Sequence, residues 1–343
     1  MKDKKIRVSG LDVLRVLATL LVMTTHSIAY LGPMDDNVRS PLWTVYLVVR
    51  FTALSCVPLF ILLTGYLNRK KNIDGGYVRY LRGILPVLIS YVLISAAGAF
   101  VTNYAGHTAF TLWTGFTSVL NFTANGYAWY VEMYIGLYLI TPFLNMLFER
   151  MVTLKNRLIF VGVLAALTLL PPAVESFRVF GVSLDILPDY WEIMYPVTYY
   201  FVGALIGEYK PKIKKRYSIP IMLFCILLPS GLCYAFSSPE AGYAWYMMNG
   251  FGCLTTGMMA ASIFLVLYDI TLPKIPARIF TELSVCSFEM YLLSYVCDLA
   301  IYSKLTLPMP VMILIVFTLT YIAARLMRLA LAPAYRVCRF GGK

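Results

Sequence analysis

The first apolar segment holds five residues at intervals of three, four, three and four: Asp12, Arg15, Thr19, Val22 and His26. Residues at these intervals lie on one face of an α-helix. Ionisable side chains inside a membrane are costly and mark functional sites by default. Histidine changes charge near neutral pH, so His26, with polar residues on the same helix face, is a candidate for moving a proton. The alternative is a structural histidine that bonds to a neighbouring helix.

A pair of arginines three residues apart, Arg79 and Arg82, precedes the third apolar segment. Their side chains point the same way on a helix, and guanidinium groups bind phosphate in a forked geometry. The pair is therefore a candidate phosphate clamp. The alternative is that these arginines, like the nearby Arg69, Lys70 and Lys71, only anchor the chain on the cytoplasmic side.

Other charged residues also fall inside apolar segments. Arg50 lies about 12 Å into its segment, counted from Leu42, which requires a carboxylate, a phosphate or a solvated pocket nearby. Glu282 and Glu289 are seven residues apart and share a helix face. The remaining members of this set are Glu132, Asp298 and Arg325. No residues have metal-site spacing, so no metal ligands are predicted.

The composition places these helices in lipid. Of the 343 residues, 60% are hydrophobic and 13% are charged, about half the charged fraction of a soluble domain. The surplus apolar surface must face the bilayer. The net charge of +12 follows loop position, so it indicates membrane topology and not nucleic-acid binding.

Ten apolar segments are long enough to cross a bilayer. The loops that would face the cytoplasm hold 24 lysines and arginines, against 3 in the outer loops. This asymmetry predicts cytoplasmic N- and C-termini. We therefore expect an all-α polytopic membrane helix bundle of about ten transmembrane helices, formed by a single domain over residues 1–343. A further run, 108–122, contains Trp113 and is expected at the membrane interface. The ten segments are 11–31, 42–67, 83–105, 127–148, 157–174, 192–209, 217–236, 245–268, 280–303 and 307–332.

Four motifs in order resemble the acyltransferase 3 family of bacterial membrane O-acyltransferases. The first is the 11–15 segment (LDVLR), with His26 following Arg15 after ten intervening residues. The others are 57–67 (VPLFILLTGYL), Arg79-x-x-Arg82, and Trp129-Tyr130 leading to 138–142 (YLITP). A later segment, 199–203 (YYFVG), also fits the family pattern. The resemblance covers the whole chain.

The sequence departs from the family near its end. The segment 287–294 (SFEMYLLS) is similar to a family helix in which many members have histidine at the position of Ser294 and glycine at that of Glu289. A role that needs a second histidine has no matching residue there. Thr64 replaces a common serine and keeps its hydroxyl.

The resemblance implies an integral membrane O-acyltransferase, usually an O-acetyltransferase, in the inner (plasma) membrane. It implies acyl-CoA, usually acetyl-CoA, as a cytoplasmic donor substrate, with no permanently bound cofactor. The acceptor would be a cell-surface polysaccharide or its lipid-linked precursor. Arg79 and Arg82 would hold the CoA phosphates. His26 would act as base or acyl relay, supported by Asp12 and Arg15. Membrane lipid is the surrounding partner, and no nucleic acid is expected.

Two other functions are compatible with the sequence. A transporter or flippase of a lipid-linked sugar would also use about ten helices with buried charges, although the two halves show no obvious inverted repeat. A catalytically silent accessory subunit is the other alternative, because of the departure at Ser294.

Overall fold

The computed structural model describes residues 7–32, 38–106, 111–177, 188–240, 242–244, 248–333 and 335. Within these residues the regular structure is helical, apart from an isolated antiparallel bridge between Ser238 and Gly242. The predicted all-α class is therefore confirmed. His107, the second histidine of the sequence, lies outside the described residues, as does the start of the predicted interfacial run.

The described residues form fourteen α-helices in chain order. They are α1 (Ser9–Leu31), α2 (Pro41–Ala53), α3 (Cys56–Asn68), α4 (Tyr77–Leu81), α5 (Leu85–Gly106), α6 (Leu112–Leu120), α7 (Trp129–Arg150), α8 (Leu154–Thr168), α9 (Leu170–Glu175), α10 (Tyr195–Tyr209), α11 (Lys215–Phe236), α12 (Leu254–Leu267), α13 (Lys274–Tyr302) and α14 (Met309–Ala330).

Local sequence signals set several helix starts. Ser40 caps α2 by accepting from the backbone N–H of Trp43, and Pro41 occupies the first turn, where its missing N–H and fixed φ cost nothing. Thr153 caps α8 in the same way through the N–H of Asn156.

Seven helical segments of the described chain are long and apolar enough to cross a membrane. One of them, Pro41–Asn68, joins α2 and α3. The predicted spans 157–174, 192–209 and 245–268 contain α8, α10 and α12, which are 15, 15 and 14 residues long. Such helices reach only about 21–23 Å, against a hydrocarbon core of roughly 30 Å. An all-helical chain with several candidate membrane spans is confirmed, while the count of ten and the orientation of the termini stay predictions.

The chain divides into two compact units. The first unit comprises Met1–Arg69 and Phe148–Ser284, and the second comprises Lys70–Leu147 and Val285–Lys343. The candidate residues Asp12, Arg15 and His26 belong to the first unit, and the arginine pair belongs to the second.

The first unit is built on a close contact between α3 and α10. A Cβ atom added at Gly65 would overlap the carbonyl oxygen of Tyr200, and one added at Gly203 would overlap that of Leu62. Gly203 and Gly207 are four residues apart, an interval of small residues that predicts a close helix contact from the sequence, and the structure confirms it by placing both against α3. Because the two backbones touch, only glycine fits, and two of the sequence motifs meet along this contact.

The second unit carries the predicted interfacial helix, which is α6. Leu112, Trp113, Phe116 and Leu120 are all exposed, the first by 87%. Their spacing puts them on one side of a short helix. An apolar and aromatic face of this kind is typical of a helix that lies in the membrane interface.

Candidate functional site

The carboxylate of Asp12 is the centre of a charged cluster at the start of α1. Arg7 binds it twice, with Nε to Oδ2 at 2.6 Å and Nη2 to Oδ1 at 2.7 Å. Nη1 of Arg15 lies 3.5 Å from Oδ1 and donates to Ser284 Oγ over 3.2 Å. Thr281 donates to Oδ2 over 3.1 Å. Asp12 is only 2% exposed, and its hydrogen bonds raise the pKa of Arg7 above the ordinary value.

His26 lies on the same helix but far from this cluster. Because α1 is continuous from Ser9 to Leu31, the eleven residues between Arg15 and His26 correspond to about 16 Å along the axis. The Nδ1 atom of His26 is buried, and α1 packs against α2, α3 and α12. The predicted stripe is thus one helix face with two separate polar positions, and any support that Asp12 and Arg15 give to His26 acts over a distance.

Arg79 and Arg82 lie on α4 and on the 3₁₀ turn Arg82–Ile84 that follows it. Both side chains are exposed. The segment begins after Gly76, whose φ of 87° favours glycine. Residues 77–84, which hold both arginines, form the arginine segment.

Reciprocal hydrogen bonds attach the arginine segment to α7. Tyr80 Oη donates to the carbonyl oxygen of Tyr138 over 2.6 Å, and Tyr138 Oη donates to that of Tyr80 over 2.9 Å. The two rings also stack, with their centroids 4.5 Å apart. Each backbone carbonyl is satisfied by the other residue's hydroxyl, so the pair fixes both position and orientation of α4.

Three further contacts hold the same segment and the loop before it. Tyr77 Oη donates to the carbonyl oxygen of Leu139 over 2.9 Å. Asn145 Nδ2 donates to the carbonyl oxygen of Lys71 over 2.7 Å. The Nζ of Lys71 lies 5.2 Å from the centre of the Tyr138 ring, within cation–π range. Charge anchoring at a membrane surface requires no such ordered attachment, so these contacts are a feature of the arginine segment that its charge alone does not explain.

Several buried charges receive partners that the sequence alone did not identify. Glu289 on α13 pairs with Arg328 on α14 at 2.7 Å. Asp298, 2% exposed, accepts a hydrogen bond from Tyr127 over 2.7 Å. Nη2 of Arg50 lies 3.5 Å from Asn249 Oδ1, so an amide oxygen faces this cation.

Ser294 is buried at the position where many family members have histidine. Its hydroxyl donates to the carbonyl oxygen of Tyr291 over 2.7 Å. This bond lies within one turn of α13, which is the usual way a serine satisfies its hydroxyl inside a membrane helix. Such a serine supplies no proton-transfer group in place of the imidazole.

The described residues include no group of three His, Cys, Asp or Glu side chains that could hold a metal ion. The candidate groups in this part of the chain are the imidazole of His26, the carboxylates with their arginine partners and the exposed arginine pair. Acyl transfer from a thioester to a hydroxyl needs a proton acceptor and a means to bind the donor.

The family model for an acyltransferase domain, that of the acyltransferase 3 family, matches residues 8–328. The chain belongs to the acyltransferase 3 family. A search of the curated proteins and one of the solved structures each gave no match. Family membership makes the protein a membrane acyltransferase, and no comparison supports the alternative of a transporter or flippase.

Sequence reasoning missed the residues that hold the candidate groups in place. Arg7 lies five residues before Asp12, which is not a helical interval, so periodicity gave no signal for it. Tyr138 does belong to a quoted motif, 138–142, but its link to Tyr80 joins residues 58 positions apart. A contact of this sequence separation is visible only in the folded chain.

Proposed function

We propose that the protein is an O-acyltransferase, more specifically an O-acetyltransferase, that uses cytoplasmic acetyl-CoA or another acyl-CoA. The acceptor is a hydroxyl of a cell-surface polysaccharide or of its lipid-linked precursor, and the enzyme works in the inner (plasma) membrane with both termini in the cytoplasm. The observation that carries the proposal is the exposed arginine pair on a segment attached to α7 by reciprocal hydrogen bonds.

The donor role of Arg79 and Arg82 rests on chemistry and order together. CoA presents a pyrophosphate and a 3′-phosphate, and two guanidinium groups one helical turn apart match such oxygens with charge-assisted hydrogen bonds. Because Tyr80 lies between the two arginines and is fixed to α7, the guanidinium groups start from an ordered backbone. An ordered site loses less conformational entropy on binding.

His26 is the proposed base. It accepts the proton of the acceptor hydroxyl while the hydroxyl oxygen attacks the thioester carbonyl carbon. The C–S bond then breaks, the acyl ester remains on the acceptor, and CoA leaves as a thiolate that takes up a proton. In the alternative order His26 carries the acyl group first, and the acceptor removes it in a second step. Asp12 and Arg15 support the site electrostatically from the other end of the same face of α1.

The test of the catalytic role compares His26→Ala with His107→Ala in purified protein in nanodiscs. The assay measures transfer of radiolabelled acetyl from acetyl-CoA to envelope glycan, together with acetyl-CoA binding. Loss of a general base costs about 10²–10⁴-fold in turnover, so His26→Ala is expected to lose transfer while it still binds acetyl-CoA. His107→Ala serves as the control and is expected to keep both. Wild-type turnover in a folded His26→Ala protein would refute the proposed role.

The donor site is tested with the double variant Arg79→Ala/Arg82→Ala. A matched control, Lys212→Ala/Lys214→Ala, removes the same charge from another exposed stretch that is predicted to be cytoplasmic. Two charge-assisted bonds are expected to account for roughly 10²-fold or more in acetyl-CoA affinity. Arg82→Lys should restore only part of it, because lysine lacks the planar fork. Equal affinities in the double variant and the control would show that the arginines only anchor the chain.

A further inference from the structure

Three donor groups surround one oxygen of the Glu289 carboxylate. Its Oε1 accepts from Arg328 Nη1 at 2.7 Å and lies 3.2 Å from Ser90 Oγ and 3.4 Å from Tyr335 Oη. Ser90 Oγ and Tyr335 Oη are 2.7 Å apart, so one of their two hydroxyl protons joins them to each other and the other is donated to Oε1. The four side chains come from α5, α13, α14 and the residues just after α14. Glu289 is thus fixed in place within the second unit.

The other oxygen of Glu289 has no donor among the described residues. Oε2 is buried without a hydrogen-bond partner in this part of the chain, and the residue is 2% exposed. A buried carboxylate oxygen that accepts no hydrogen bond destabilises the folded protein, and the cost in free energy is larger than for a buried neutral acceptor. The arrangement therefore holds an acceptor atom ready for an N–H or O–H group that the described residues do not supply.

The offset of Ser90 from the arginine segment along the chain indicates which group that is. Ser90, whose hydroxyl touches Glu289, follows Arg82 by eight residues on one nearly continuous helical run. The separation along that run is about 13 Å, counting the 3₁₀ turn at about 2 Å per residue. The pantetheine arm of CoA is about as long as four or five extended residues, roughly 15 Å. It carries two amide N–H groups along that length.

We propose that Oε2 of Glu289 accepts a hydrogen bond from an amide N–H of the pantetheine arm when acyl-CoA binds. This inference rests on the proposed donor site at Arg79 and Arg82. The Glu289 carboxylate recognises the pantetheine arm through a hydrogen bond from one amide N–H. Ser90, Arg328 and Tyr335 orient the carboxylate through its other oxygen, Oε1.

The test compares acetyl-CoA with two analogues, each with one pantetheine amide N–H replaced by an ester oxygen. An ester keeps the length and shape of the arm but donates nothing. For the wild-type protein one analogue is expected to raise the donor KM by about 10- to 100-fold, because it leaves a charged acceptor unpaired. Glu289→Ala is expected to treat that analogue and acetyl-CoA alike. Ser90→Ala, which removes only a partner of Oε1, is expected to keep the discrimination.

The wild-type measurement decides the question even if Glu289→Ala fails to fold. Equal KM values for both analogues and acetyl-CoA would overturn the inference, and so would an unchanged discrimination in folded Glu289→Ala. Neither result would touch the donor site, which is measured separately with the arginine variants and their lysine control. Weak binding by wild-type of all three donors, with no effect of Arg79→Ala/Arg82→Ala, would instead contradict the proposed function itself.

Discussion

Replacing the hydroxyls of Tyr80 and Tyr138 tests whether the arginine segment must be attached to α7 for donor binding. Tyr138→Phe keeps the ring and its stacking on Tyr80 but removes the 2.9 Å bond to the Tyr80 carbonyl. Tyr80→Phe removes the 2.6 Å bond in the other direction. The double variant removes both and keeps both rings.

The size of the effect follows from these two bonds. Each is worth about 1 kcal/mol net, so the double variant favours the detached segment by about 2 kcal/mol, roughly 30-fold in the equilibrium. A donor that binds only the attached form has an apparent Kd divided by the fraction attached. The donor KM is therefore expected to rise by up to roughly 5-fold in each single variant and 30-fold in the double, with kcat at saturating acetyl-CoA unchanged.

The assay is donor-dependent initial rate in nanodiscs, paired with amide hydrogen exchange of residues 77–84. Tyr190→Phe, at a tyrosine that is 89% exposed, is the control for loss of a phenol. Faster exchange of the arginine segment in the double variant, together with an unchanged donor KM, would refute the reasoning, because the segment would then bind donor without being fixed.

Two further predictions concern stability in detergent, measured by thermal unfolding. Gly203→Ala is expected to destabilise the first unit by about 1–3 kcal/mol, because the new Cβ meets the backbone of α3. The control is Gly162→Ala, where a Cβ meets nothing within 4 Å, and it should be neutral or stabilising by up to about 1 kcal/mol. Equal losses of stability in the two variants would contradict the α3–α10 contact. Each of two other variants, Asp12→Asn and Arg7→Ala, is expected to lower the free energy of unfolding by about 1–3 kcal/mol. In the double variant the two losses should not add, because each single variant breaks the same ion pair. Additive losses would show that the pair is not formed.

The sequence alone was sufficient for the class of the protein and for its candidate groups. The low charged fraction required a membrane bundle, since so little polar surface cannot cover a soluble domain. The interval of eleven residues from Arg15 to His26 placed both on one face of α1, because helical periodicity is local. Gly203 and Gly207 indicated a close helix contact, and the structure confirms it at α3.

The number of spans could not be read in the same way. Apolar length predicts a membrane helix only where the whole run is helical, and the predicted span 245–268 illustrates the difference. Its helix begins only at Leu254, and residues 245–247 lie outside the described part. Hydropathy reports that a segment is apolar, but the backbone decides where its helix starts.

The partners of the charged groups were decided by tertiary structure alone. The pairs Arg7–Asp12, Tyr80–Tyr138 and Glu289–Arg328 join residues at non-helical intervals or on different helices. Hydrogen bonds and ion pairs need atoms within about 3 Å in a favourable direction. The periodicity of one helix does not say which side chain of another helix comes that close. The sequence therefore determined which residues are candidates for chemistry, and the packing of the helices determined which side chains and backbone atoms hold them in place.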